Sequence, residues 1–417
     1  MKIVEFTKEM KKTHKILAPN MLEIHFDMLK AVFHQNGYDL EILKDTSGDV
    51  VQEGLKYVHN DTCYPALLTT GQMISALKSG KYDLTKTALL MTQTGGGCRA
   101  SNYIHLIRKG LKSAGLENVP VISVSTNGME KHSGFNITLA MLRRVASCML
   151  YGDLLMLLKN QTKPYEKTIG ETDALVGFWT AEISDMFTKN KGFQKPQIRK
   201  IAKKIVASFE NIQKTGVKKV KVGVVGEIYV KYSPLANNYL EDFLASQDCE
   251  VNVPGIMGFL LYCMRNPIED VSRYGGTLFQ KLKGGFLFWY VRRYEIILNS
   301  SLKNTSFQPP ADFFHLQKLA KPFVSTGCKM GEGWLLTAEM LELCESGYEN
   351  IVCAQPFGCL PNHIVGKGMI RKITTAHKTA NIVSIDYDPG ATKVNQENRI
   401  KLMLSVAKER LEEENTK

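Results

Sequence analysis

No two of the nine cysteines are spaced as CxxC; they stand at positions 63, 98, 148, 249, 263, 328, 344, 353 and 359. That excludes the paired signatures of zinc ribbons and ferredoxin loops, so any metal must take its ligands from loops distant in sequence. No apolar run reaches the roughly 18–20 residues that span a bilayer. The nearest, "GGFLFWYVRRYEIILNSSL" at 284–302, is broken by Arg292, Arg293 and Glu295. No early segment has the charged start, apolar stretch and small-residue cleavage site of a secretory leader. GxxxxGK(S/T) and GxGxxG are also missing. "VGVVGEIYVKYSP" has neither the lysine–hydroxyl pair of a nucleoside-triphosphate loop nor the glycines of a dinucleotide fold. The expectation is a cytoplasmic protein with reduced thiols and no membrane partner.

What is present is ordinary for a globular chain. The 417 residues are 44% hydrophobic and 23% charged, enough for two or three domains. The net charge of +12 suits an anionic partner. Its lysines are scattered, at Lys11, Lys12 and Lys15, over 195–204 and over 214–221. No basic run is interleaved with aromatics, so a nucleic-acid partner is not expected.

The hydrophobic pattern alternates between short apolar runs and amphipathic stretches. "HKILAPNM", "YDLEIL", "KTALLMTQT" and "VPVISVS" read as strands separated by helices. From about 136 to 215 the spacing is helical, as in "ITLAMLRRVASCMLYGDLLMLL". Alternation restarts with "VKKVKVGVVGEIYV", "EVNVPGI", "NIVCAQPF" and "NIVSIDYD", interrupted by a helical stretch over about 258–320. After "NIVCAQPF", the segment "IVGKGMIRKI" reads as a helix. The predicted fold class is α/β: two Rossmann-like lobes with parallel sheets plus helical connecting segments. The lobes are assigned to 1–135 and 216–417, the connector to 136–215. Facing lobes leave a cleft lined by loops at the carboxyl ends of strands, which is where such sheets bind ligands.

Three cysteines fall on such loops or beside them. Cys98 and Cys359 each follow a strand and precede a helix, and Cys63 in "NDTCYPA" also precedes one. A thiolate at a helix N-terminus is favoured by the dipole and by free N–H groups. Glycines before Cys98 and prolines at 65, 356 and 361 shape these loops. Cys353, within a strand, and Cys328, in "STGCKMGEGW", are further candidates for the same site. Cys148, Cys249, Cys263 and Cys344 lie in helical patterns or at helix ends and read as core filler, the usual fate of a free cysteine. Asp61, Glu332 and His363 lie beside the key motifs as hydrogen-bonding or capping residues. Asp386, Asp388 and Thr392 read as a turn and a helix cap. Spacing alone leaves ligand and packing roles both open for the three loop cysteines, and no catalytic acid–base pair stands out.

"NDTCYPA", "TQTGGGCRASNY", "GEIYVKYSPLANNYLEDFL", "GEGWLLTAEM", "QPFGCLPNHIVGKG" and "NIVSIDYDPGATKVNQENRIKLML" together resemble the acyl-CoA dehydratase activase-related family, akin to 2-hydroxyacyl-CoA dehydratase subunits and double-cubane cluster proteins. The resemblance implies an iron–sulfur cluster in the cleft between the lobes, with Cys63, Cys98 and Cys359 as ligands. It implies a single 4Fe-4S cluster, with an 8Fe-9S double cubane as the alternative that would recruit Cys328 and Cys353. It also implies a separate ATP-dependent activase as electron donor, since the chain carries no nucleotide loop of its own. The implied activity is reduction or dehydration of a small substrate, such as a 2-hydroxyacyl-CoA. The alternatives are a non-catalytic electron relay that docks such a system, and zinc on the same thiols. Oligomerisation is left open.

Overall fold

The computed structural model describes residues 3–94, 96–124 and 130–416. Gly95, in the glycine run before Cys98, and Ser125, at the end of an expected strand, lie outside the described residues. The first lobe has strands β1 (Lys15–Pro19), β2 (Asp39–Leu43), β3 (Thr87–Thr92) and β4 (Val121–Val124), in the order β2-β1-β3-β4. The second has β5 (Val220–Gly226), β6 (Cys249–Asn252), β7 (Asn350–Pro356) and β8 (Asn381–Tyr387), in the order β6-β5-β7-β8. Every pairing in both sheets is parallel. The predicted α/β class with two Rossmann-like lobes is therefore what the chain adopts.

The strands form where apolar residues run almost without interruption. β1 is buried from Ile16 to Pro19 and β7 from Ile351 to Pro356, as expected of strands covered by helices on both faces. The two sheets share one winding order, although no residue-level repeat is visible. In each, the chain starts at an inner strand, winds to one edge, and returns to the other side. The crevice at that reversal lies between β1 and β3 in one lobe and between β5 and β7 in the other.

Two expectations are corrected locally. "GEIYV" does not continue β5. The strand ends at Gly226, and Glu227 caps a short helix, Ile228–Tyr232, by accepting a hydrogen bond from the Val230 amide at 2.9 Å. The helix expected over "IVGKGMIRKI" is split by its glycines into a π turn at Asn362–Gly366, a tight turn at Lys367–Met369 and a helix at Ile370–Ala376.

The connecting segment is helical as expected, with helices Leu139–Thr162, Glu171–Thr188 and Lys195–Glu210. It is not a peripheral linker. A single apolar core runs from Val32 and Phe33 of the first lobe through Leu150 and Leu154 to Val222 and Leu244 of the second. At its centre the Asp153 carboxylate is 2.9 Å from His25 Nε2 of the first lobe. It also accepts hydrogen bonds of 2.9 Å from the Ile256 and Met257 amides of the second. The insertion forms helices Ile256–Tyr274, Leu278–Leu302 and Phe313–Ala320. Among the described residues no helix is long and apolar enough to cross a membrane.

Candidate metal centre

Cys63 precedes the helix Tyr64–Lys78, which has Pro65 in its first turn. Cys98 precedes the short turn Arg99–Ser101 that opens into the helix Tyr103–Ser113. The two first-lobe loops are tied together: Arg99 donates to the Asp61 carbonyl at 2.8 Å, and Cys63 Sγ lies 3.2 Å from the Tyr103 hydroxyl. Cys359 sits just beyond β7, its amide bonded to the Pro356 carbonyl at 3.3 Å.

The lobes meet at these loops, so the expected cleft is bridged here by direct contact. The Tyr64 amide donates to the Phe357 carbonyl at 3.0 Å, joining the residue after Cys63 to the strand end before Cys359. Gly358 makes this approach possible. Its φ is +72°, and a Cβ there would stand 3.0 Å from the Cys63 Cα. Gly331, with φ +57°, does the same for Cys98: a Cβ would stand 3.2 Å from Pro361 Cγ and 3.9 Å from Cys98 Sγ. Cys63, Cys98 and Cys359 are thus gathered from three loops and both lobes.

Two carboxylates accompany them. Glu227 and Glu332 are both buried, and Glu332 accepts a hydrogen bond from the Ile228 amide at 2.9 Å. Burial pushes both carboxyls above the usual range, and the neighbouring charge adds to this, from Glu332 at Glu227 and from Glu339 at Glu332. Lys231, at 3.2 Å from both Glu339 oxygens, relieves Glu332 in part. The same carboxylates act on the thiols. Burial first, then Glu332 and Glu227, pushes Cys98 up to about 11 and Cys359 higher still. Burial also raises Cys63, partly offset by the Tyr103 hydroxyl. All three thiols are thus held above their ordinary range.

The other sequence candidates are placed differently. Cys353 packs with Ile351 and Ile373, while its strand neighbours Val352 and Ala354 face the main core. Its sulfur lies 3.5 Å from Asn362 Oδ1, and burial pushes it up to about 12. Cys353 therefore supports the 359–366 turn from the opposite face of the sheet. Cys328 is exposed, on the loop whose carbonyl accepts the Trp334 amide at 2.7 Å. Cys148, Cys249 and Cys344 are buried as expected. Cys263, expected as core filler, is instead accessible to solvent, though crowded enough that lost hydration and the Glu332 charge push it up to about 12. Asp61 is exposed, and His363 contacts Gln355, which donates to Asp386 at 2.9 Å. Asp388 makes the expected turn, accepting the Gly390 amide at 2.7 Å, and Thr392 caps the last helix through the Asn395 amide at 3.4 Å.

Among the described residues, no three His, Cys, Asp or Glu side chains are already drawn into a closed ligand set. The gathered thiols match the donor chemistry of an iron–sulfur or zinc site. Closing on such a group requires rotation and deprotonation of side chains whose backbones are already held together. A well-enclosed cavity lies elsewhere, between Asp153, Val253, Glu295, Asn299 and Pro310, and none of the cysteines lines it. The carboxylates Glu227 and Glu332 were not singled out as a pair from sequence. Their only signal is that each follows a glycine and stands at or just before a helix start, in "GEIYV" and "GEGW". No protein-family model matches the chain, and no curated protein matches it.

Proposed function

We propose that this chain is an iron–sulfur protein that accepts low-potential electrons from a separate ATP-driven donor and reduces or dehydrates a small substrate, with a 2-hydroxyacyl-CoA as the substrate class. Cys63, Cys98 and Cys359 would hold a 4Fe-4S cluster, which when bound would supply one electron at a time at low potential. Three thiolates leave one iron site for a non-protein ligand. The observation that carries this reading is the meeting of three cysteine loops from both lobes, held by the Tyr64–Phe357 hydrogen bond and by Gly331 and Gly358.

The chain's own residues have defined parts. The backbone around Cys63 and Cys359 excludes water, and the Tyr103 hydroxyl is in reach to donate to the Cys63 sulfur. Burial raises the carboxyls of Glu227 and Glu332 beside the thiols, so that ionising either one costs more than it would in water. The chain's +12 charge suits the phosphates of coenzyme A.

The deciding measurement is iron and acid-labile sulfide on anaerobically purified, reconstituted protein. About four of each per chain supports the single cubane, and about eight irons with nine sulfides the double one. Serine at Cys63, Cys98 and Cys359 should abolish most of that content, whereas Cys344→Ser should leave it intact. Absence of both elements, or content indifferent to the three substitutions, refutes the proposal.

A further inference from the structure

The segment that comes nearest to a membrane span in sequence reappears in the fold as a protruding helical hairpin. The helices Ile256–Tyr274 and Leu278–Leu302 are joined by Gly275 and Gly276. Gly275 has a φ of +84°, a value that favours glycine. Thr277 closes the turn with a reciprocal cap, its hydroxyl accepting the Gln280 amide at 3.2 Å and its amide donating to Gln280 at 3.0 Å. The tip is therefore a built helix start and not a loose loop.

That tip carries large apolar side chains in solvent. Leu278 is 71% exposed, Phe279 74%, Leu282 63% and Phe286 64%. Leu278, Leu282, Phe286 and Trp289 recur at helical spacing along one stripe, while Phe288 turns inward onto Phe313 with ring centroids 5.4 Å apart. Apolar side chains this large and contiguous mark a surface that something covers.

Charge and order along the helix identify the cover. Residues 271–294 contain Arg273, Lys281, Lys283, Arg292 and Arg293 and no carboxylate. The flanking acids are already engaged: Glu269 by Arg265 and Arg273, Asp270 by Lys329, and Glu295 and Asp312 by Arg292, which leaves Lys281, Lys283 and Arg293 as the cations to be matched. A second copy would set these cations against themselves. Leucines and phenylalanines occupy the tip, Trp289 and Tyr290 follow one to two turns behind, and arginines follow them. Arg293 stacks at 3.8 Å over the Trp289 ring, with Lys195 at 5.0 Å from that of Tyr290. Lys281 and Lys283 border the apolar stripe at the tip itself, and an apolar face edged by cations with aromatics behind it is the layout of a helix that lies at the boundary between hydrocarbon and headgroup.

We infer that the hairpin tip docks this protein peripherally on an anionic phospholipid surface, inserting Leu278, Phe279, Leu282 and Phe286 beneath the headgroups. Nothing in this depends on the cluster, and it departs from the sequence-based expectation of no membrane partner, which rested on the lack of a spanning run. The test is sedimentation of the full chain with vesicles of phosphatidylcholine alone or mixed with phosphatidylglycerol. Binding to the mixed vesicles should exceed that to the neutral ones by about tenfold or more and weaken steeply at about 0.5 M salt. L278S/F279S/L282S should lose that binding, and K281Q/K283Q should lose much of it, both with an unchanged thermal midpoint because every altered side chain is exposed. Exposed Trp289 should shift its emission to the blue on binding; W289F removes that signal and keeps the binding. Equal binding to both vesicle types, binding that survives the triple serine substitution, or a dimer in sedimentation velocity that the triple substitution dissolves would each overturn the inference. The last outcome would assign the surface to a second copy.

Discussion

Replacing Asp153 by alanine should be among the most damaging single substitutions in this chain outside its apolar core. Its carboxylate meets His25 Nε2 and the Ile256 and Met257 amides, each at 2.9 Å, so one side chain joins the first lobe, the connector and the second lobe. Hydrogen bonds to a charged group contribute about 1.5–3 kcal/mol each. They share one carboxylate and do not add fully, so their joint loss stands below the sum of the three taken separately. We therefore expect a loss of ~4 kcal/mol for Asp153→Ala, a large share of the 5–15 kcal/mol typical of folded proteins. Asp153→Asn keeps one accepting oxygen but turns an amide toward an N–H, and should lose about half as much. Urea unfolding followed by circular dichroism measures both. A loss below about 1 kcal/mol for the alanine variant would refute the idea that this carboxylate holds the three segments together.

Glu295 gives a pH signature. Burial, with Asp312 nearby, pushes its carboxyl up to about 7, so the folded protein keeps a proton that the unfolded chain has released. This contribution is fully present below about pH 4.5 and is lost as pH rises through 7, to a limit of ~3 kcal/mol. Glu295→Gln, which can still accept the Phe313 amide now bound at 2.8 Å, should be more stable than the parent at pH 8 and alike at pH 4.5. A stability difference independent of pH would contradict the assignment. Gly358→Ala forces a left-handed backbone onto a residue with a Cβ and drives it against Cys63, costing ~2 kcal/mol or more. It should also raise the reactivity of Cys63 and Cys359 toward a thiol reagent, and unchanged reactivity would mean the two loops are not pressed together.

The strands were legible because a buried parallel strand is written as a nearly unbroken apolar run, and β1, β3 and β7 each fall within such a run. The lobes and helical connector followed from the change of period. What sequence could not express was direction. Cys353 and Cys359 are six residues apart, an even spacing that would set them on one face of a continued strand, but β7 ends at Pro356 and the turn after it sends Cys359 toward Cys63 while Cys353 stays packed with Ile351 and Ile373. Cys263 was misread although a helical wheel could have flagged it: Met257, Leu261 and Ile268 share the buried face, and Cys263 falls roughly opposite.

Glu332 was read as a hydrogen-bonding residue beside the key motifs, and it does accept the Ile228 amide, but its burial together with Glu227 was hidden for a different reason. No local pattern foretells that two acids will be buried beside three thiols, because a sequence read alone places acids at the surface. Their burial carries the central physical argument about this site. Each carboxylate raises the cost of forming the neighbouring thiolates, and each is itself held above its usual range. Deprotonating such an arrangement is unfavourable while no cation is present, and becomes less so once positive charge arrives among the sulfurs. Under the proposed function, loading the site must therefore release protons, stabilise the fold in proportion to affinity, and weaken as pH falls. Glu332→Gln removes one of the opposing charges and should ease thiolate formation at Cys98 and Cys359, so that loading persists to lower pH than in the parent. If loading proves indifferent to both pH and this substitution, the acids are not coupled to the thiols, and the metal, if bound, sits elsewhere.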